Sequence, residues 1–216
     1  EYGVSCFDGK SWVNHLFTLT ADDVSPNANL RNLNYYVNRI DEILVDRENV
    51  VWISLCDGNY VASFDGKAWK LYNRLSGETR MDINNVNDII VDRNNFKWYV
   101  GKGVSCFDGK AFTSYKRYQM EGISGAVDND NVKWFGTSDT GVWSFDGAAW
   151  TNYNKDNSPL KGKKLPVPFG EGVNPLMNWM IRVAADQNNV KWFADLDGII
   201  YSFDGTAWKT YGYEVT

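Results

Sequence analysis

Two short motifs repeated along 216 residues predict an all-β chain, a β-propeller of four-stranded antiparallel blades with four complete repeats plus one N-terminal half repeat. Phe-Asp-Gly recurs at Phe7, Phe64, Phe107, Phe145 and Phe203, and an aromatic follows each copy, at Trp12, Trp69, Phe112, Trp150 and Trp208. Asp-x-x-Asn-x-x-Trp precedes the last four copies, starting at Asp46, Asp92, Asp128 and Asp186. Successive Phe-Asp-Gly copies lie 57, 43, 38 and 58 residues apart, which straddles the roughly 40–50 residues of one blade. The third observation is apolarity on both faces of a strand. In Val132-Lys133-Trp134-Phe135-Gly136, Trp134 and Phe135 point to opposite sides. Such a sheet needs a neighbour on each side, and radially stacked blades supply both. No segment keeps a helical apolar period, so a βαβ plan is excluded; a sandwich is the remaining alternative.

Each unit reads as strands A to D. In the third, Asp88–Val91 is strand A, Asp92–Asn95 the A–B turn, Phe96–Val100 strand B and Val104–Phe107 strand C. Asp108-Gly109 forms the C–D hairpin turn and Phe112–Tyr115 strand D. Asp-Gly between apolar runs is a strong hairpin signal, because glycine accepts positive φ at low cost. Asp and Asn in the A–B turn bond nearby backbone and tolerate left-handed conformations. The repeats span about 1–15, 40–72, 83–115, 120–153 and 178–211, within a single domain. There are five C–D hairpins but four A–B hairpins. The first unit therefore lacks its inner strand pair, and the ring is either five-bladed or part of a larger one. The missing strands are expected upstream of Glu1, where the absence of an initiator Met suggests a trimmed chain, or from partner strands that complete the first blade.

Composition narrows the partners. Net charge is −5 and the basic residues are scattered, which argues against nucleic acid, since that needs a clustered basic surface. It argues equally against an anionic membrane surface. No apolar run approaches a membrane span, so no membrane insertion is expected. Of three cysteines, Cys6 and Cys106 share one place in the repeat, where other units have Ser63, Ser144 and Ser202. The position reads as small and buried, and the redox compartment stays open.

No catalytic, metal or cofactor site is expected. His15 is the single histidine, so a Ser-His-Asp arrangement would hang on one residue at the end of the terminal hairpin. Asp195 and Asp197 flank a turn, as paired carboxylates would, but strand-end carboxylates more commonly cap backbone groups. Asp128 and Asp130 hint at calcium without a full set of oxygen ligands.

The repeats resemble the two-component-regulator propeller family of bacterial sensor proteins. Val127 through Tyr153 is nearest to its pattern, with Trp134-Phe135-Gly136-Thr137 and Phe145-Asp146-Gly147-Ala148-Ala149-Trp150; Asn157-Ser158-Pro159-Leu160 resembles the lead into a next repeat. The resemblance implies a periplasmic or extracellular sensing module, in bacteria that often use glycans. The family's Gly-Thr is replaced by Ser54-Leu55, Gly101-Lys102 and Ala194-Asp195 in three units.

Turns that copy themselves suit a scaffold, and connections that vary suit a site. The A–B and C–D turns barely change between units. The B–C turns and D–A connections do, and two connections are long, about 16–39 and 154–178. Tyr35, Tyr36, Arg39, Arg74 and Arg117 fall in or beside such connections, and Trp143 and Trp179 stand outside the repeat pattern. The expected site is the B–C and D–A face near the central opening, formed by Asp57, Asn59, Lys102, Asp139, Trp179, Arg182, Asp195 and Asp197. Aromatic rings beside Asp, Asn and Arg suit an oligosaccharide; a protein ligand held on the scaffold is the alternative. A propeller lyase of the class acting on streptogramins would need a catalytic histidine on this face, and only His15 is available. If the Asp-Gly turns are scaffold, Gly109→Val destabilises the fold by about 1 kcal/mol or more, read from urea melts, and leaves ligand affinity of the folded fraction unchanged.

Overall fold

The computed structural model describes residues 2–17, 40–55, 60–73, 85–115, 120–161 and 181–212. Among them lie five antiparallel sheets and no helix. The first is a hairpin, β1 (Tyr2–Phe7) with β2 (Trp12–Phe17). Four four-stranded blades follow: β3 (Ile40–Val45) to β6 (Trp69–Asn73), β7 (Asp88–Val91) to β10 (Phe112–Tyr115), β11 (Gly122–Val127) to β14 (Trp150–Tyr153), and β15 (Arg182–Ala185) to β18 (Trp208–Tyr211). Within each, strands pair in chain order, and the four inner strands β3, β7, β11 and β15 lie side by side in succession. This is the propeller plan, with the strand boundaries of the third unit within about one residue of those read from its sequence.

The turns explain why these residues fold so. Gly9, Gly66, Gly109, Gly147 and Gly205 all sit at positive φ in the C–D turns, where a β-branched residue is strained. The preceding aspartate of each turn accepts two backbone N–H groups, as Asp108 does from Lys110 and Ala111, both at 2.8 Å. In the A–B turns Asn49, Asn95, Asn131 and Asn189 take φ near +60°, a conformation asparagine tolerates better than most residues.

Blades stack through one recurring contact. Phe107 and Phe112 stack at 4.7 Å, and Phe107 lies 5.6 Å from Trp52 and 5.3 Å from Tyr72 of the preceding blade. Phe145 meets Trp98 and Tyr115 in the same way, and Phe203 meets Trp134 and Tyr153. A Phe-Asp-Gly knob thus enters a Trp–Tyr socket at each of the three interfaces between complete blades. The Gly136-Thr137 step admits the next blade's backbone: a Cβ on Gly136 would run into the carbonyl oxygen of Ile181, whose N–H donates to Thr137 O at 3.1 Å.

A buried polar staple accompanies each knob. Asp46 accepts the Trp52 indole N–H at 2.9 Å, and the next blade's Lys97 donates to it at 3.2 Å while its Nζ lies 4.9 Å from the Trp52 ring. Lys133 reaches Asp92 (4.0 Å) and Trp98, and Lys191 reaches Asp128 (3.8 Å) and Trp134. Each lysine also donates to the carbonyl of its own A–B turn Asn, at 2.8 Å. All three lysines are 3–4% exposed, so the pairing is what makes their burial tolerable.

One expectation is corrected. Cys106 is buried, but Cys6 is exposed, because fewer elements cover the hairpin than cover a complete blade. Asp128 and Asp130 are engaged by protein donors: Asp128 holds Trp134 and Lys191, and Asp130 accepts Asn189 Nδ2 at 2.6 Å.

The staple makes a sharp prediction. Asp128→Ala strands a buried lysine and an indole N–H, and is expected to cost about 3–5 kcal/mol. Asp186→Ala, where the aspartate holds Trp192 and Lys191 of its own blade acts on it only electrostatically, is expected to lose distinctly less in the same urea melts. Acid acts on the same groups. Burial alone would raise the Asp46 carboxyl, but bonds from Trp52, Val50, Glu48 and Lys97 outweigh it and hold it below the usual range. Backbone N–H groups lower Asp65, Asp108 and Asp146, and bring Asp204 to about 2. Carboxyls lowered in the folded state stabilise it fully above their unfolded pKa. The urea midpoint is therefore expected to hold above pH ~5 and fall as pH drops toward ~2.

Candidate functional site

The inner strands carry a position of the repeat where charge varies in sign. Four residues before the A–B aspartate stand Glu42, Asp88, Ser124 and Arg182. Their strand partners are Ser54, Val100, Gly136 and Ala194, so the four occupy equivalent places in successive blades beside the central opening. The inner strands of neighbouring blades belong to separate sheets, and this position bridges them. Asp88 Oδ2 accepts the Gly125 N–H at 2.7 Å, and Ser124 Oγ accepts the Val183 N–H at 2.8 Å. Arg182 cannot accept; it reaches back, donating from Nη1 to Ile123 O at 3.3 Å. Asn87 adds a bond from Nδ2 to Gly122 O at 2.8 Å.

The electrostatics of this ring are uneven. Burial raises the Asp88 carboxyl above its ordinary value, the Gly125 N–H opposes that, and the Glu42 charge raises it further while Arg182 lowers it. Arg182 remains exposed. The strand-A position thus carries a partly desolvated carboxyl, a second carboxylate and a guanidinium, groups that between them donate and accept hydrogen bonds.

Of the residues read from the sequence, Arg182 belongs to this ring. Lys102 forms a bridge with Glu121, whose carbonyl accepts the N–H of Ser138, the neighbour of Asp139, at 2.9 Å. Ser138 Oγ and Asp139 Oδ1 are buried without a hydrogen-bond partner. Asp195 is committed to its turn, accepting from the N–H groups of Asp197 and Ile199 and from the Tyr201 hydroxyl at 2.9 Å. Asp197 is exposed at the tip of that turn. Asp57, Asn59 and Trp179 lie outside the described residues. Trp143 is held by Thr140, its indole donating to Oγ1 at 3.0 Å.

Glu42, Asp88, Asn87 and Ser124 lie in or beside strand A, which a reading drawn to the variable turns and connections did not single out. Aligning the repeats on the A–B aspartate would have exposed them. A second concavity was also unanticipated: a cleft of about 400 Å³ between two blades, lined by Asp46, Trp52, Lys70, Tyr72, Lys97 and Phe107. It lies on the A–B and C–D face, and Asp46 and Lys97 there are already paired with each other.

His15 takes the place that Tyr72, Tyr115, Tyr153 and Tyr211 hold in the other units, and packs on Phe64 at 4.7 Å as Tyr72 packs on Phe107. Burial pushes the Cys106 thiol up to about 12, far from a reactive thiolate.

No family model and no curated protein matches the chain. Solved structures do. The chain is similar to a catalytically inactive virginiamycin B lyase from Staphylococcus aureus with quinupristin, at a TM-score of 0.64 and 12% identity, over 98% of this chain and 63% of that one. It therefore spans just under two thirds of that neighbour's length. It is similar to the extracellular domain of a one component system from B. thetaiotaomicron (TM-score 0.54, 12% identity, 80% of this chain, 21% of that one). YCF48 bound to D1 peptide matches at a TM-score of 0.54 and 12% identity, over 93% of this chain and 57% of that one. At such identities the likeness defines the fold, a β-propeller. No helix among the described residues is long and apolar enough to cross a membrane.

If His15 is a packing residue, restoring the repeat's tyrosine is beneficial. His15→Tyr is expected to raise stability by about 0.5–1 kcal/mol, as consensus substitutions do, read from the urea midpoint. A loss of stability would show the position to be more than a stacking site.

Proposed function

We propose that the chain is a non-catalytic, extracytoplasmic binding or sensing module that takes an oligosaccharide at the B–C and D–A mouth of its central opening. One observation carries this reading. The strand-A position that could be apolar in every blade is Glu42, Asp88, Ser124 and Arg182 instead, and Asp88 keeps its carboxyl there against desolvation. Retaining an ionisable group at such a cost is characteristic of sites that recognise a partner. Carboxylates and a guanidinium at one mouth suit sugar hydroxyls, which both donate and accept. The extracellular domain sharing this fold supports an extracytoplasmic role, and the stacking role of His15 supports a non-catalytic one.

A glycan array identifies the ligand, and calorimetry with the best glycan tests the site. Asp88→Asn keeps an acceptor for the Gly125 N–H and removes the penalised charge, so melting temperature at pH 7 is expected to stay level or rise. Glycan affinity is expected to fall about tenfold or more, roughly 1.4 kcal/mol. Arg182→Ala is expected to weaken binding similarly, and Asp65→Ala on the opposite face to leave it intact. Wild-type affinity in Asp88→Asn removes the ligand from this mouth.

A further inference from the structure

The B–C turn of the blade β11 to β14 holds two polar groups that the fold does not use. Residues 137–143 lie mid-chain, with a complete blade on either side, and their backbone is closely braced. Thr137 N–H donates to Gly141 O at 3.0 Å, Ser138 N–H to Glu121 O at 2.9 Å, and Thr140 N–H to Thr137 Oγ1 at 3.0 Å. Thr137 O accepts the Ile181 N–H at 3.1 Å, and the Trp143 indole N–H donates to Thr140 Oγ1. Thr137 thereby caps its own turn. In the next blade that task falls to Asp195, which spends its carboxylate on two backbone N–H groups and the Tyr201 hydroxyl. Asp139 has no turn to cap. Its Oδ1 and the Ser138 Oγ are both buried, and neither has a hydrogen-bond partner. Ser138 is 9% exposed, and Asp139 is half-buried.

An acceptor and a hydroxyl left unmet side by side are costly, because each is hydrogen-bonded to water in the unfolded chain. Such atoms call for an explanation, and their chemistry specifies a guest. A carboxylate oxygen only accepts, whereas a hydroxyl donates or accepts. The guest must bring an O–H or N–H to Asp139 and a second polar group to Ser138. A carboxylate repels an anion. A divalent cation needs several oxygen ligands, and the described residues offer no cluster of three or more His, Cys, Asp or Glu. The residues that brace the turn adjoin cations: Glu121 bridges Lys102, and Ile181 precedes Arg182. A neutral guest is therefore favoured over an ammonium. Two adjacent sugar hydroxyls meet every requirement.

We infer that Ser138 and Asp139 form a subsite for a pair of adjacent hydroxyls on one sugar ring, one hydroxyl donating to Asp139 Oδ1 and the other exchanging a hydrogen bond with Ser138 Oγ. This rests on the oligosaccharide reading and adds to it the feature that selects among glycans. The subsite adjoins Arg182, which holds the carbonyl of Ile123, two residues beyond Glu121. Asp139 stands mid-turn, so rotation about its Cα–Cβ bond brings Oδ1 to the guest while the braced backbone stays in place. Bonds unmet in the free protein are made on binding.

Thermal melts without glycan and calorimetry with glycan test this on the whole chain. Ser138→Ala removes an unmet hydroxyl and Asp139→Asn an unmet charge, so each is expected to hold or raise the melting temperature. A fall of more than about 3 °C in either reveals a structural partner and overturns the assignment. The calorimetric probe is the tightest-binding glycan of the array, with its analogues that each lack one ring hydroxyl. Both variants are expected to bind the parent glycan at least about tenfold more weakly than wild type. Loss of either of two adjacent hydroxyls is expected to cost wild type a similar factor, and Asp139→Asn much less, because the partner is already gone. If both variants keep wild-type affinity while Asp88→Asn and Arg182→Ala lose it, the diol subsite falls and the mouth stands. If all four keep it, or no array glycan binds, the oligosaccharide reading falls and takes the subsite with it.

Discussion

Everything in this structure depends on a lysine buried between two blades. Stacked sheets with apolar faces could slide over one another at small cost, because hydrophobic burial has no direction. A charge cannot slide. Lys97, Lys133 and Lys191 each find the carboxylate and indole of the blade before them and the carbonyl of their own turn. Any other register would leave an ammonium unpaired in a dry interface, so the ion pair selects one geometry even if it adds little net stability. In the first complete blade the same place is Val51.

That constraint divides the repeat into parts that must copy and parts that need not. The A–B aspartate serves at once as turn cap, indole acceptor and lysine partner, so no other side chain replaces it. The strand-A position four residues earlier has a looser task. It need only link separate inner strands, and Asp88 and Ser124 do so with different chemistry. The two aromatic sets, by contrast, are copied closely from unit to unit.

The turns and strands were legible because their signals are local. Asp-Gly and Asp-x-x-Asn-x-x-Trp act within a few residues, and the third unit's strands fall almost where its sequence places them. The site was legible only in part. Lys102, Asp139 and Arg182 were read from varying connections, and Arg182 stands in line with Asp88 and Ser124 on the inner strands. Asp195 looked the same in sequence but is spent on its own turn and on Tyr201. Glu42 and Asp88 sit in strands whose apolar neighbours made them look incidental.

The sequence by itself determined the repeat and its hairpins, because turn chemistry and alternation are written in neighbouring residues. Tertiary structure decided which equivalent positions meet across blades: Lys97 with Asp46 over 51 residues, Asp88 with Gly125 over 37, Arg182 with Ile123 over 59. It also decided that His15 is a stacking ring and Cys6 an exposed thiol. Those outcomes depend on what lies on the facing surface of a neighbouring sheet. Packing of one sheet on another has no spacing rule along the chain by which a single sequence could reveal it.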